Sequence, residues 1–281
     1  MTMSDHDRQV LQALADARQK HGELAGLLDF YYDLYQVQFE AKASLPGPEV
    51  RDDLAMRQRL AGGVPQLTFD QLGIEPEPFA RLVEQIGAVL VRHNPAGETD
   101  RHEQPAPSEE MVALARQVFE TWDTLTAPKL DAKYEPGAHA EPDHLPMLAV
   151  GFALAPYLQR AAELILPCLD LSLWAEGFCP ICGGQPNLAL LEQSRGARQL
   201  FCSRCDGSWI YRRIGCPFCG SEGKQTYYPS QDGAHRLYVC PDCHRYLKTA
   251  DLREIHRPVY PQVERLILVG MDLAVQQIGS A

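Results

Sequence analysis

The chain has 281 residues, 45 % of them hydrophobic, which is enough to bury a substantial core and to divide into two domains. With 26 Lys and Arg against 37 Asp and Glu its formal charge is −11, so it has no overall basic field with which to hold nucleic-acid phosphates. No nucleotide-binding glycine loop, nucleophile elbow or paired-carboxylate motif is present, and an enzyme is not expected.

The first eight residues are polar and lack the apolar stretch of a signal peptide, so the chain is expected in a reducing cytoplasm. Residues 1–173 are expected to form a helical domain. Leu24, Leu27, Leu28, Tyr31, Leu34 and Tyr35 make one apolar stripe at helical spacing. Phe79, Leu82, Val83, Ile86 and Leu90 make a second, and Met111, Ala115, Val118, Trp122 and Leu125 a third. Pro76 and Pro78 open the helix that carries Phe79, and Ser108 is the expected cap of the next, with Glu109 and Glu110 in its first turn. Residues 93–107 and 128–146 are polar and proline-containing and read as surface loops, with His93, His102, His139 and His144 as surface histidines. Residues 147–166 are nearly all apolar, but Pro156, Gln159, Arg160 and Glu163 interrupt them, which fits a buried central helix better than a membrane span. Cys168, alone on an apolar stretch, reads as a buried core thiol.

After residue 174 the composition changes. Four Cys-x-x-Cys pairs follow: Cys179/Cys182, Cys202/Cys205, Cys216/Cys219 and Cys240/Cys243. Nineteen residues separate the first two pairs and twenty the last two, but only ten lie between the middle pairs. The spacing is that of a four-cysteine metal ribbon written twice, with Cys179, Cys182, Cys202 and Cys205 on one ion and Cys216, Cys219, Cys240 and Cys243 on the other. The halves match outside their cysteines as well. Gly177-Phe178-Cys179-Pro180-Ile181-Cys182-Gly183 answers Ile214-Gly215-Cys216-Pro217-Phe218-Cys219-Gly220, and Gly196-Ala197-Arg198 answers Gly233-Ala234-His235, so the segment is an internal repeat. In each first turn a Pro presets φ after the first Cys and a Gly permits positive φ after the second, which lets backbone N–H groups face the sulfurs. Runs rich in β-branched and aromatic residues between the turns suit short strands.

Other uses of these cysteines fit less well. A disulfide framework does not suit a reducing compartment. A thioredoxin-like redox motif needs one pair at a helix start, and here four pairs stand on ribbon-like turns. Cys240-Pro241-Asp242-Cys243-His244 matches the c-type haem pattern, but that pair has a partner turn at ribbon distance. Zinc and iron both accept four thiolates in a tetrahedron, so two metal ions, iron or zinc, are expected, each in a closed four-cysteine site with no open position for a substrate.

A double ribbon can also bind RNA or single-stranded DNA. Residues 177–257 hold 11 Lys and Arg against 7 Asp and Glu, a formal +4, while the rest of the chain holds 15 against 30, a formal −15. Two Zn(Cys)4 sites at −2 each cancel the +4. Arg198, Arg204, Arg212, Arg213, Arg236 and Arg245 would supply phosphate contacts in that reading, and Trp209, Tyr211, Tyr227, Tyr228, Tyr238 and Tyr246 stacking surfaces; in a small ribbon the aromatics serve better as its apolar content.

The expected fold is therefore mainly α with a small β component: a helical domain at 1–173, a first four-cysteine module at 174–212, a second at 213–257, and at 258–281 a helix, opened by Pro261, that returns to pack on the helical domain. The motifs Cys179-Pro-Ile-Cys182-Gly, Cys202-Ser-Arg-Cys205-Asp-Gly-Ser-Trp209, Cys216-Pro-Phe-Cys219-Gly and Cys240-Pro-Asp-Cys243-His-Arg-Tyr-Leu-Lys-Thr249, after an acidic helical half, resemble the FdhE family of formate dehydrogenase accessory proteins. The resemblance implies a cytoplasmic maturation factor, not an enzyme, with rubredoxin-like cysteine sites able to carry iron. It implies as partner the catalytic subunit of formate dehydrogenase, engaged before export; by the interrupted apolar run and the charge balance above, no membrane is expected as a partner and nucleic acid is disfavoured. Oligomeric state is left open, and a rubredoxin-like electron carrier is a further alternative.

Overall fold

The computed structural model describes residues 2–50, 54–94, 107–126, 145–223 and 225–279. Its main elements are α1 (Asp5–Lys20), α2 (Ala25–Ser44), α3 (Leu54–Ala61), α4 (Pro76–His93), α5 (Ser108–Thr126) and α6 (Leu145–Ile165), then β1 (Pro186–Leu191), β2 (Arg198–Cys202), β3 (Ser208–Tyr211), β4 (Thr226–Pro229), β5 (His235–Val239) and β6 (Tyr246–Asp251), and finally α7 (Pro261–Ile267) and α8 (Val269–Gly279). The chain is mainly α with one small sheet, as expected. It forms two compact units. The first holds α1, α2, α4, α5 and α6 as far as Arg160; the second holds α3, the last turn of α6, all six strands, α7 and α8.

In the first unit, Ser4 caps α1 by accepting from the Asp7 N–H at 3.1 Å, and acidic residues open the helix while Arg18 and Lys20 close it, as the helix dipole favours. Val10, Leu14 and Ala17 of α1 are buried, as are Leu28, Leu34, Tyr35 and Phe39 of α2. Lys42 and Asp7, both buried, pair at 2.7 Å and pin the end of α2 to the start of α1. The α4 stripe is Phe79, Leu82, Val83, Ile86 and Val89; Val89 takes the buried place expected of Leu90, which is half-buried. Ser108 lies inside α5 rather than capping it, and its hydroxyl donates to Glu77 at 3.0 Å, while the Pro107 carbonyl accepts the first helical bond. Ala115 and Val118 are buried; the side chains of Trp122 and Leu125, and the positions of His102, His139 and His144, lie outside the described residues. His93 is at the end of α4, half-buried, with Nε2 2.9 Å from Asp33.

Helix α6 carries Pro156 in its interior, where the missing N–H would leave the Phe152 carbonyl without its helical partner. The buried Gln38 of α2 donates to that carbonyl at 2.8 Å, so the proline is tolerated by a side chain of the helix beside it. No helix among the described residues is long and apolar enough to cross a membrane. After Ile165 the chain turns through the 3-10 segment Leu166–Cys168, which carries Cys168 off the apolar face. Cys168 is exposed, not the buried core thiol expected from its neighbours.

In the second unit the strand order is β3-β2-β1-β6-β5-β4. Each four-cysteine module is a three-stranded antiparallel meander, β1-β2-β3 or β4-β5-β6. A parallel pairing of β1 with β6, from Leu188 opposite Lys248 to Leu191 opposite Asp251, fuses the two into one sheet. Leu188, Leu190, Phe201, Ala250 and Ile255 form a core with Leu268, against which Ile267 and Met271 pack, and Leu237 and Val239 bury Val275 of α8. Lys248 Nζ and the Tyr246 hydroxyl both reach Asp272 of α8, at 2.6 and 2.9 Å. Residues 258–279 thus form two short helices, where a single helix was expected, and both lie on the sheet. Leu268 and Val275 have their apolar partners on β1, β5 and β6, whose faces would otherwise be bare.

The boundary expected at 173/174 also shifts. Residues 49–68 belong to the second unit, where the backbone N–H groups of Gln66 and Leu67 donate to the carbonyls of Pro180 and Ile181 at 2.9 and 2.8 Å. The chain therefore straps the first cysteine turn more than a hundred residues before it makes it.

Candidate metal centres

All four Cys-x-x-Cys turns have one local build. The N–H of the first Cys donates to a carbonyl five residues on: Cys179 to Gly184 at 2.8 Å, Cys202 to Gly207 at 2.9 Å, Cys216 to Ser221 at 2.8 Å and Cys240 to Arg245 at 3.0 Å. The residue after the second Cys has positive φ in each: Gly183 at 74°, Asp206 at 56°, Gly220 at 75° and His244 at 56°. Glycine enters that region freely, and Asp and His are among the few other residues enriched there. The histidine of Cys240-Pro241-Asp242-Cys243-His244 is a turn residue with a backbone role, since its N–H donates to the Cys240 carbonyl at 3.0 Å. Backbone N–H groups of Ile181, Arg204 and Phe218 approach the sulfurs of Cys179, Cys202 and Cys216 at 3.4 Å.

The turns bring the eight sulfurs into two clusters, one of Cys179, Cys182, Cys202 and Cys205, the other of Cys216, Cys219, Cys240 and Cys243, and within each all sulfurs lie within 4.8 Å of one another. The shortest separations are 3.5 Å for Cys179–Cys205 and Cys182–Cys202, 3.6 Å for Cys216–Cys243 and 3.7 Å for Cys219–Cys240. A tetrahedral cage with metal–sulfur bonds of about 2.3 Å has sulfur–sulfur edges of about 3.8 Å, so both clusters fit one ion. Their electrostatics call for a cation. Burial pushes the Cys179 thiol well up, while hydrogen bonds from Cys179, Cys202 and Cys205 hold Cys182 well down, so one sulfur ionises at the expense of its neighbours. A divalent ion removes that competition by deprotonating all four.

The two clusters are built against each other. Gly177 packs on the backbone of Pro217, and a Cβ there would run into the Pro217 carbonyl, so the approach of the two first turns demands glycine. From the first meander, Arg198 donates to the Gly215 carbonyl at 2.8 Å, the Tyr211 hydroxyl to the Cys216 carbonyl at 3.3 Å, and Arg212 to the Gly220 carbonyl. Trp209 is buried and its indole N–H donates to the Glu176 carbonyl at 3.1 Å. The support of one module by the other was not expected from sequence. The only hint was the short ten-residue spacer.

These arginines and aromatics were the residues of the nucleic-acid reading. Arg198 is fully buried over the Tyr211 ring, Arg213 donates to the Gly196 carbonyl, Arg236 pairs with Asp251 at 2.8 Å, and Arg245 lies over the Phe218 ring at 4.1 Å. Of the six aromatics, Tyr227 and Tyr228 are exposed, whereas Trp209 and Tyr211 are buried.

A family model for the FdhE central domain matches residues 178–213, the span that contains the whole first cluster. Over longer stretches the chain is 25 % identical to an FdhE homologue of Aquifex aeolicus across 236 residues, 81 % of this chain and 75 % of that one. The chain is thus similar to FdhE proteins along most of its length. An FdhE homologue of Haemophilus ducreyi is 26 % identical over 170 residues, 59 % of this chain and 54 % of that one, and one of Shewanella oneidensis 32 % over 106 residues, 36 % and 35 % of the two chains. The crystal structure of the FdhE protein from Pseudomonas aeruginosa has the same fold, with a TM-score of 0.62 at 20 % identity over 98 % of this chain and 91 % of that one. The FdhE fold is therefore shared along nearly the whole chain, although the family model covers only the first cysteine module.

Proposed function

We propose that this chain is a member of the FdhE family and an accessory protein for formate dehydrogenase. In this reading it binds the catalytic subunit in the cytoplasm before export and catalyses no reaction of its own. It holds two metal ions, iron or zinc, one on Cys179, Cys182, Cys202 and Cys205 and one on Cys216, Cys219, Cys240 and Cys243. The observation that carries the reading is the closure of both clusters: each ion would have four protein sulfurs and no position left for water or substrate, which is the signature of a scaffold. The ions would supply folding free energy to the sheet by tying the turns at the ends of its strands. The engagement of Arg198, Arg213, Arg236 and Arg245 within the second unit favours a protein partner over RNA or single-stranded DNA.

The test is affinity purification of the tagged chain from cells making formate dehydrogenase, together with titration against single-stranded RNA and DNA at low and moderate salt. The catalytic subunit is expected to co-purify with the wild type. Cys202→Ser and Cys240→Ser should reduce both its recovery and the active dehydrogenase in cells several-fold, with weak nucleic-acid binding throughout. Tight, salt-sensitive nucleic-acid binding with no dehydrogenase recovered would replace this reading with the nucleic-acid one.

A further inference from the structure

The two clusters come from one repeated sequence, yet their surroundings differ. In the first, Cys179, Cys182, Cys202 and Cys205 are all buried. Residues from outside the repeat enclose it. The 65–67 strap bonds to Pro180 and Ile181, Pro65 lies 3.3 Å from where a Cβ on Gly183 would stand, and Leu166 of the 3-10 segment and Ala162 of the α6 end close over Gly207 at 3.3 and 3.7 Å by the same measure. In the second, Cys216 and Cys240 are buried, but Cys219 is exposed and Cys243 half-buried. At the equivalent glycine, Gly220, the only nearby atom among the described residues is the tip of the Arg212 side chain at 3.9 Å. Around Cys219, Gly220, Glu222, Asp242 and His244 are exposed too, and a hydrogen bond from Ser221 to Asp242 ties the two turns together without covering them.

We propose that the second cluster is an exchanging metal site and that Cys219 is the sulfur at which a competing soft ligand, a thiolate or chelator in solution, displaces the protein. The inference rests on the reading of both clusters as metal sites. Ligand exchange at a tetrahedral four-sulfur centre needs an approach path to the ion past one of its sulfurs. The first cluster has every sulfur covered by chain, and the second offers one open edge. As Cys219 leaves, one metal–sulfur bond breaks and one to the incoming ligand forms, with no change in oxidation state; the freed thiolate takes up a proton or reacts with any soft electrophile present. The first cluster then acts as the fixed one, against which Arg198, Tyr211 and Arg212 hold the backbone of the second while its ion exchanges.

The test uses the full chain loaded with two zinc ions and a chromophoric chelator in excess, with iodoacetamide added in a parallel time course and the alkylated cysteines mapped by mass spectrometry. One ion is expected to leave first and the other at least about tenfold more slowly. The early alkylation should fall on Cys219, then Cys243, with iodide as the leaving group, while the cysteines of the first cluster stay protected. Two ions leaving at one rate, or alkylation of Cys179, Cys182, Cys202 or Cys205 as early as Cys219, would overturn the asymmetry and leave the two-site reading standing. A chain that takes up fewer than two ions would overturn both.

Discussion

Stripping metal from the loaded chain is expected to unfold all six strands together with α7 and α8, while α1, α2, α4 and α5 keep their helical signal. A structural four-sulfur zinc site contributes about 10–16 kcal/mol of apparent binding free energy at neutral pH, more than the whole stability of a typical domain. The second unit has two such clusters, and its buried apolar groups, Ile181, Leu188, Trp209 and Leu237 among them, sit on short strands and turns whose ends the clusters hold. The first unit has its own core in Val10, Leu14, Leu34, Phe39, Phe79 and Ile86, with no cysteine in it. Because β1 pairs with β6 and Gly177 packs on Pro217, the two modules should be lost in one transition. Circular dichroism and amide exchange on the metal-free chain would check this. Loss of all helical signal with the metal would contradict the division into units, and separate melting of the two modules would contradict the shared sheet.

Glu264→Ala is expected to destabilise the second unit by about 1–3 kcal/mol, because it leaves the buried His235 without its hydrogen-bond partner and removes the acceptor of Arg257. Glu264 of α7 is fully buried, meets His235 Nε2 at 2.7 Å and accepts two bonds from Arg257 at 2.9 Å. Burial alone would raise its carboxyl, but the hydrogen bonds and charge of His235 and Arg257 outweigh that and hold it below the ordinary carboxylate range. A carboxylate depressed in the folded state contributes stability above its unfolded pKa and loses that contribution as pH falls through the folded value. The stability gap between wild type and Glu264→Gln should therefore be full at pH 7 and narrow only below the ordinary glutamate value of 4.5. Denaturant melts of the metal-loaded proteins at several pH values measure it. A gap that is absent at pH 7, or that widens on acidification, would show that the network contributes nothing as an ion pair.

What the sequence showed directly was local chemistry. The eight paired cysteines, the prolines and glycines of the first turn in each repeat and the stripes around Leu28, Phe79 and Val118 all depend on residues near one another in the chain, and the structure places them as their spacing implies. Asp206 and His244 were a weaker signal of the same kind, because positive φ is common for glycine and uncommon for them. What stayed hidden is non-local. The pairing of Leu188 with Lys248 joins strands sixty residues apart, and no alternation within either strand records its partner. Arg198 looks like a surface cation until its carbonyl partner at Gly215 is known, and Gln38 has no reason to be buried until Pro156 exposes the Phe152 carbonyl. The apolar stripe after Pro261 was legible, but which surface it covers was not, since helix and sheet faces offer the same hydrophobic reward.

The central claim, two closed four-sulfur metal sites on one FdhE fold, is tested most directly by metal analysis of the anaerobically purified full chain combined with X-ray absorption at the bound metal. The expected result is two ions per chain, each with four sulfur neighbours at about 2.3 Å. One ion or none per chain, or a coordination shell in which oxygen or nitrogen replaces sulfur, would contradict it.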